Sequence, residues 1–200
     1  MSSTALLVVG LGGLGAFGCG GSSANDTVPV TLHAEISAPM LGRSPLVISS
    51  ISLHFLDVTA LVDSGNGPRL DGLDVSLDTP ADATLGDLSR GWYSGVGLRL
   101  GNLNEFGITI DAHWRNKSLR VQAPGGAVAL VCPTPVKASN RPLVLTVATN
   151  PSRWFDGVNL DTATDDGDDS GLTLSLDDNS DMAAQIVSNV IASLNARCGD

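Results

Sequence analysis

The densest group of side chains that could do chemistry is a run of aspartates near the C-terminus. The run surrounds Gly167 and consists of Asp161, Asp165, Asp166, Asp168 and Asp169. Carboxylate oxygens at this density are ligands that Ca²⁺ prefers. The spacing is not that of an EF-hand, because no register places acids at the first and third positions with glycine sixth, and no glutamate closes the loop. A calcium site therefore competes with a solvated acidic loop as the interpretation of this run.

Nucleophiles and other metal ligands are sparse. Ser94 lies in Gly91-Trp92-Tyr93-Ser94-Gly95, which reads G-x-x-S-G and not the nucleophile-elbow pattern G-x-S-x-G, and it falls in a predicted strand. His33, His54 and His113 are isolated, and no pair has a ligand spacing such as H-x-x-x-H. We therefore predict no catalytic residue and a protein that is not an enzyme.

The tryptophans are the remaining residues that could recognise a ligand. Trp92, Trp114 and Trp154 could include a platform on which a sugar ring stacks. Aromatic residues make up only 4% of the chain, so packing in the core competes for all three. Glycan binding is therefore an alternative function, beside calcium binding.

A glycine-rich motif near the N-terminus imitates a nucleotide site. Gly10-Leu11-Gly12-Gly13-Leu14-Gly15 satisfies G-x-G-x-x-G after a strand-like run, and Glu35 follows about twenty residues later. Such a site needs a helix that begins within the motif, because the helix N-terminus holds the pyrophosphate. Here the motif continues into Gly18, Gly20 and Gly21. No βαβ alternation follows, so we expect no nucleotide.

The same segment is better explained as an export signal. The apolar residues 5–18 end at Cys19, and Gly20-Gly21-Ser22-Ser23 follows. This order is typical of a signal peptide that ends at a lipid-modified cysteine, although Ala16-Phe17-Gly18 also fits ordinary signal peptidase. The run is too short for a membrane-spanning helix, which needs about 20 residues. We expect a signal peptide over 1–18, a flexible tether over 19–27 and a domain over 28–200.

Charge and cysteine content agree with export. The formal net charge of −10 argues against contact with nucleic acid or an anionic membrane surface through charge. If Cys19 carries lipid, Cys132 and Cys198 remain as an even pair in an oxidising compartment. We therefore predict a disulfide between Cys132 and Cys198.

Short runs of alternating apolar residues indicate an all-β domain. Residues 28–36 predict a first strand and 49–62 a long strand whose apolar face changes partway, which implies a bulge or a passage between two sheets. Asn66-Gly67 and Pro124-Gly125-Gly126 predict hairpins. Residues 81–90 read as a polar connection. Short strands separated by turn signals in this way indicate a sandwich or a barrel. We predict a single antiparallel β-sandwich, of immunoglobulin-like type.

Two further segments refine this prediction. On the strand predicted over 91–100, the indole of Trp92 shares a face with Val96 and Leu98, and Tyr93 points the other way. After a last short strand over 172–176, the apolar residues fall at helical spacing. We expect one C-terminal amphipathic helix over about 180–197, capped by Ser180, with Cys198 on its buried face.

Part of the sequence resembles a family of bacterial lipoproteins. The residues that carry the resemblance are 73–77, a spacer with Leu85 and Leu88, and the strand 91–100 with Gly91-x-Tyr93 and Arg99. The ending, with Trp154-Phe155-Asp156-Gly157 and an apolar helix, is also similar to such proteins. This family has a transthyretin-like β-sandwich and no described activity, so the resemblance implies fold and location only.

These observations predict a non-enzymatic protein of the cell envelope with a structural or protein-interaction role. The expected location is the outer membrane, facing the periplasm or the cell surface, with Cys19 as the lipid anchor. Its partners would be the membrane and an envelope protein or glycan, with neither nucleic acid nor nucleotide. No cofactor is expected, and the alternative is a calcium- or glycan-binding β-sandwich module outside the cytoplasm.

Overall fold

The structure, a computed structural model, describes residues 27–37, 46–63, 65–89, 91–101, 106–138, 141–165 and 171–199. The predicted signal peptide, Cys19 and the glycine-rich motif lie outside the described residues. Within the described ranges, one α-helix (α1) and two short 3₁₀ turns accompany eleven β-strands. The elements are β1 Thr27–Ile36, β2 Leu46–Val62, β3 Gly65–Ser76, β4 Ala81–Ser89, β5 Trp92–Leu100, β6 Ile108–Trp114, β7 Lys117–Ala123, β8 Ala127–Lys137, β9 Leu143–Thr149, the turns Pro151–Arg153 and Leu160–Thr162, β10 Gly171–Leu174, α1 Ser180–Ser193 and β11 Asn195–Gly199.

The strands form two sheets of mixed direction. One has the order β11-β9-β1-β4, and the other has the order β10-β7-β6-β2-β5-β8 with β3 also paired to β2. The predicted β-rich class with one helix is confirmed. The prediction of purely antiparallel sheets is wrong, because β9 pairs in parallel with β1 and β10 pairs in parallel with β7. Long stretches of chain separate the partners of both pairs, as a crossover between parallel strands requires.

Strand β2 is long enough to pair with two different strands of the larger sheet, one after the other. Its first half, up to Leu53, pairs with β6, and its second half, from Phe55, pairs with β5 along the same edge. The register shifts between Phe55 and Asp57. Buried positions change phase there, from Leu53 and Phe55 to Val58 and Ala60. The predicted change of face is therefore confirmed as a β-bulge.

Both sheets and the helix contribute to one hydrophobic core. Trp154, Tyr93 and Phe55 are the largest side chains that it fully buries. Along β1, the alternation of Val28, Val30, Leu32, Ala34 and Ile36 places every second side chain in the core, as a strand requires.

A disulfide joins the outer strands of the two sheets. Cys132 in β8 bonds to Cys198 in β11, with 5.7 Å between their Cα atoms. The predicted pairing is confirmed, but the predicted position of Cys198 on the helix is wrong. Helix α1 ends at Ser193, because Leu194 adopts an extended backbone conformation and the chain continues as β11 beside β9.

Helix α1 otherwise follows its sequence pattern. It begins at Ser180, and Ala183, Ile186 and Val190 are buried at helical spacing. The N-cap is Asn179, not the predicted Ser180. The prediction extended the helix to about 197 because Cys198 follows Leu194 at helical spacing, whereas these residues leave the helix and Ala196 is buried opposite Val147 of β9.

Four other sequence predictions need correction. The segment predicted as a polar connection over 81–90 contains strand β4, which pairs with β1. Pro124-Gly125-Gly126 joins β7 to β8, which are not neighbours, so it does not form a hairpin. Strands β2 and β3 are antiparallel neighbours as predicted, but Asn66-Gly67 lies inside β3 and not at the turn. The predicted last strand, 172–176, is β10, which ends at Leu174.

The start of β5 reverses the predicted orientation of two aromatic side chains. Tyr93 is 1% exposed and Trp92 is 49% exposed, whereas the alternation had placed Trp92 with the buried residues. The register of β5 against β8 shifts between Tyr93 and Gly95. A Cβ at Gly95 would lie 2.0 Å from the carbonyl oxygen of Leu130, so only glycine fits this close approach.

Candidate functional site

A mixed polar and apolar cleft lies where the β6–β7 turn meets the segment 160–165 and β10. Its volume is about 280 Å³. Leu160, Ala163 and Leu172 form apolar parts of its lining. The other lining residues are Trp114, Arg115, Asn116, Lys117, Asp161 and Asp165.

The β6–β7 turn carries one wall of the cleft. Arg115 and Asn116 are the two residues between Trp114 at the end of β6 and Lys117 at the start of β7. Arg115 has φ +57°, a left-handed conformation that costs a non-glycine residue about 1 kcal/mol. This backbone brings the Arg115 guanidinium carbon to 5.3 Å from the centre of the Trp114 ring, a cation–π contact. The turn therefore holds the indole and the guanidinium against each other.

Two asparagines fix the opposite wall. The Asn159 carboxamide oxygen accepts a hydrogen bond from the backbone N–H of Asp161 at 3.3 Å and so caps the turn Leu160–Thr162. The Asn179 side chain accepts from the Thr164 N–H at 2.7 Å, and it donates to the carbonyl oxygens of Thr164 and Thr173 at 3.1 and 2.8 Å. Asn179 thereby ties the segment 163–165 to β10.

Two ion pairs connect the β6–β7 turn to the opposite wall of the cleft. Arg115 Nη2 lies 2.6 Å from Asp161 Oδ1, and Lys117 Nζ bonds to Asp165 Oδ2. The four charges cancel. Within the part of the chain that the structure describes, the buried Oδ1 of Asp165 has no hydrogen-bond partner.

The aspartates predicted as a calcium site are only partly described. Asp161 and Asp165 both line the cleft and both pair with cationic side chains. Asp166, Asp168 and Asp169 lie outside the described residues. Among the residues that are described, no group of three or more His, Cys, Asp or Glu side chains could hold a metal ion.

The three tryptophans occupy different environments. Trp154 is fully buried, and its Nε1 donates to Ser193 Oγ. Trp92 is exposed at the start of β5. Trp114 is partly buried and borders the cleft. Of the proposed sugar-stacking side chains, Trp114 is thus the one with polar groups gathered around it.

The histidines and Ser94 are not among the residues that line the cleft, although His113 directly precedes Trp114 in β6. His33 Nδ1 is 2.6 Å from Asp82 Oδ1, and its Nε2 is 3.6 Å from Glu35. The hydrogen bond with Asp82, reinforced by Glu35 and opposed by desolvation, raises the pKa of His33 above 6.5. His54 Nδ1 lies 2.6 Å from Asp74 Oδ1. Ser94 lies in β5, as predicted.

A second polar cluster covers the outer face of β2, β6 and β7. Asp111 accepts hydrogen bonds from Arg120 Nε at 2.8 Å and from Ser50 Oγ at 2.9 Å. The bond from Arg120 holds the pKa of the Asp111 carboxyl below its ordinary value, with a smaller contribution from Ser50 against desolvation. Asp111 receives its hydrogen bonds from neighbouring side chains of the same sheet, so we interpret this cluster as a structural part of the sheet surface.

Comparison with known proteins does not assign this chain to a family. Neither a protein-family model, nor a curated protein, nor a solved structure matches this chain. In the part of the chain that the structure describes, no helix is both long enough and apolar enough to cross a membrane.

Sequence reasoning did not single out the cations of the cleft. Arg115 and Lys117 stand in the run Trp114-Arg115-Asn116-Lys117, between two alternating strands. A short polar stretch between such strands indicates a turn, and it would have placed Arg115 in the turn and Lys117 at the start of the next strand. No local signal showed that Asp161 and Asp165, far along the chain, would meet them.

Proposed function

We propose that this protein is a lipid-anchored domain of the bacterial cell envelope with a structural or protein-interaction role and no catalytic activity. The observation that carries the proposal is the bond between Cys132 and Cys198. These are the two cysteines that remain once Cys19 is assigned to the lipid, and disulfides persist in oxidising compartments. The apolar segment before Cys19 supports the same location.

The fold of the proposed domain is a β-sandwich of transthyretin-like type. One core filled from both sheets and a covalent bond between their outer strands support two packed layers. The anchor would hold this domain at the outer membrane, facing the periplasm or the cell surface. The acidic balance, with a net charge of −10, disfavours nucleic acid as a partner.

Membrane attachment is the property to test first. Replacement of the anchor residue, Cys19→Ala, in a Gram-negative host should move the protein from the membrane fraction to the soluble fraction of the envelope. The matched control is Ser22→Ala, a substitution in the same predicted tether, which should stay with the membrane. A Cys19→Ala protein that still sediments with membranes would contradict the anchor.

The absence of catalysis is tested separately. Ester and glycoside substrates should give no turnover above background. Turnover that the change Ser94→Ala abolishes would contradict the proposal, because Ser94 is the serine that was weighed as a nucleophile from the sequence and set aside.

A second candidate is a binding module in the same location, for calcium or a glycan. The cleft beside Trp114 is the observation that favours it, because it gathers an indole, two carboxylates and two cations. For calcium, the melting temperature should rise with CaCl₂ and fall with EDTA. Indifference to both would remove calcium from this candidate.

A further inference from the structure

We propose that the cleft beside Trp114 binds a neutral carbohydrate, with Trp114 contributing apolar surface to the sugar ring and Asp161 and Arg115 hydrogen-bonding its hydroxyls. The inference rests on the binding-module candidate and is independent of the lipid anchor. Four properties of the cleft carry it: its charge balance, its mixture of surfaces, the fixed position of its indole and its size.

The charge balance selects a neutral ligand. Asp161 and Asp165 are already compensated by Arg115 and Lys117 in direct ion pairs. A cation bound at either carboxylate would lie beside the charge of Arg115 or Lys117, and an anion bound at either of those cations would lie beside an aspartate, so like charges oppose both. A neutral molecule can bind without breaking either pair, and so avoids leaving a charge unpaired.

The surfaces match those of a sugar ring. A hexose has a C–H face and a rim of hydroxyls that both donate and accept hydrogen bonds. Leu160, Leu172 and the indole supply apolar surface. The side chains of Arg115 and Asp161 are 61% and 52% exposed, so their remaining donor and acceptor positions are open to solvent. Their charged groups form stronger hydrogen bonds with hydroxyls than neutral groups do.

The indole is held in place before any ligand arrives. The Arg115 guanidinium packs on the Trp114 ring, and Arg115 itself is fixed by Asp161 and by its left-handed backbone. Strained backbone of this kind concentrates at functional sites. A preorganised aromatic surface loses little entropy on binding.

The size of the cleft limits the ligand. Its volume of about 280 Å³ is just below about 300 Å³, the volume at which the usual range of small-molecule sites begins. It accommodates a mono- or disaccharide unit, not several units of a polymer laid along the surface.

Nuclear magnetic resonance of the three tryptophan indoles tests the proposal directly. The full chain, recovered from the host envelope in detergent, gives one indole N–H signal for each of Trp92, Trp114 and Trp154. Trp92→Phe and Trp114→Phe assign the signals. The probes are glucose, galactose, mannose, N-acetylglucosamine and their common disaccharides, each titrated to about 50 mM, with CaCl₂ as a separate probe.

The expected result is a saturable shift of the Trp114 signal with at least one sugar, at a Kd of about 1 mM or below. The Trp92 and Trp154 signals should stay in place. Asp161→Asn, which preserves the volume of the side chain, should weaken binding about tenfold. Trp114→Ala should abolish binding as measured by calorimetry, whereas Trp92→Ala should bind normally.

Several results would overturn the proposal. They are the absence of any sugar-induced shift at the highest concentration, a shift confined to Trp92, and a saturable Trp114 shift with CaCl₂ alone. Unchanged affinity in both Asp161→Asn and Trp114→Ala would do the same. Membrane attachment is assayed on Cys19, so failure of the sugar site leaves the anchor untouched.

Discussion

The indole Nε1 of Trp154 donates a hydrogen bond to Ser193 Oγ at a distance of 2.8 Å. This bond joins the largest buried side chain to the last residue of α1. Ser193 Oγ also donates to the Val190 carbonyl oxygen at 2.7 Å and lies 2.5 Å from Thr149 Oγ1. One hydroxyl therefore connects the end of β9, the turn that follows it and the C-terminus of the helix.

Loss of this hydroxyl should destabilise the protein. Ser193→Ala leaves the buried Trp154 N–H without its acceptor, which costs about 1–3 kcal/mol. Urea denaturation would measure the loss of unfolding free energy. Ser188→Ala is the matched control, because Ser188 is exposed on the same helix and its removal should change stability by less than about 0.5 kcal/mol. Equal stability of both variants would contradict a role for the hydroxyl.

We expect both the left-handed backbone of Asn179 and its side-chain hydrogen bonds to affect the stability of the protein. It has φ +52°, and its carboxamide holds Thr164 and Thr173. Asn179→Gly keeps the left-handed backbone and loses the hydrogen bonds, whereas Asn179→Ala loses both. We expect Asn179→Ala to be the less stable by about 1 kcal/mol in thermal or urea unfolding. Equal stabilities would show that the left-handed backbone costs alanine nothing here.

Removal of the disulfide should lower stability substantially. The bond spans 66 residues, and closing a loop of that length in the unfolded chain is worth about 4 kcal/mol in the chain-entropy model. Cys132→Ala/Cys198→Ala should therefore unfold at a clearly lower urea concentration. Cys19→Ala, in the predicted tether, should not. Two free thiols on Cys132 and Cys198 in the native protein would contradict the bond itself.

Stability should depend on pH through His33. Its pKa in the folded protein lies above the ordinary value of 6.5, chiefly because of the hydrogen bond with Asp82. Protonated His33 therefore stabilises the fold at pH values below about 6.5, and this contribution is lost as the pH rises through the folded-state pKa. Asp82→Asn should lower the melting temperature more at about pH 5.5 than at about pH 8.5.

The control for His33 is Asp87→Asn, since Asp87 is an exposed aspartate on the same strand, β4. It should have the same small effect at both pH values. An imidazole titration by nuclear magnetic resonance that placed the His33 pKa at or below its ordinary value would contradict the assignment.

Alternation along single strands was the most informative property of the sequence. It located β1 and the change of face in β2, since the bulge at Phe55 leaves a visible break in the period of two. It misjudged Trp92 and Tyr93, because the register shift there depends on how closely β8 approaches Gly95. Pairing between distant strands, such as β1 with β9, leaves no local signal, so the parallel pairs were not predictable from alternation.

The disulfide was predicted correctly, although the predicted position of one of its two cysteines was wrong. Counting cysteines sufficed to pair Cys132 with Cys198, whereas helical spacing placed Cys198 on the helix. The chain instead leaves the helix at Leu194 and forms β11. Local spacing cannot show this, because the ladder with β9 that stabilises β11 is a tertiary interaction.

The cleft was the least predictable feature. Its members come from the β6–β7 turn, the segment 160–165 and β10, and only Trp114, Asp161 and Asp165 had drawn attention in the sequence. The ion pairs that neutralise the aspartates depend on the packing of these segments, with Asn179 as the tie. Sequence spacing alone had left those carboxylates free for calcium.

The most direct test of the proposed function is the intact mass of the protein from a Gram-negative host, with and without reductant. We expect a chain that begins at Cys19 and carries a mass increment the size of a diacylglycerol. Reduction of the Cys132–Cys198 bond should then add the mass of two hydrogens. A full-length chain without lipid and with all three thiols free would contradict both export and the bond.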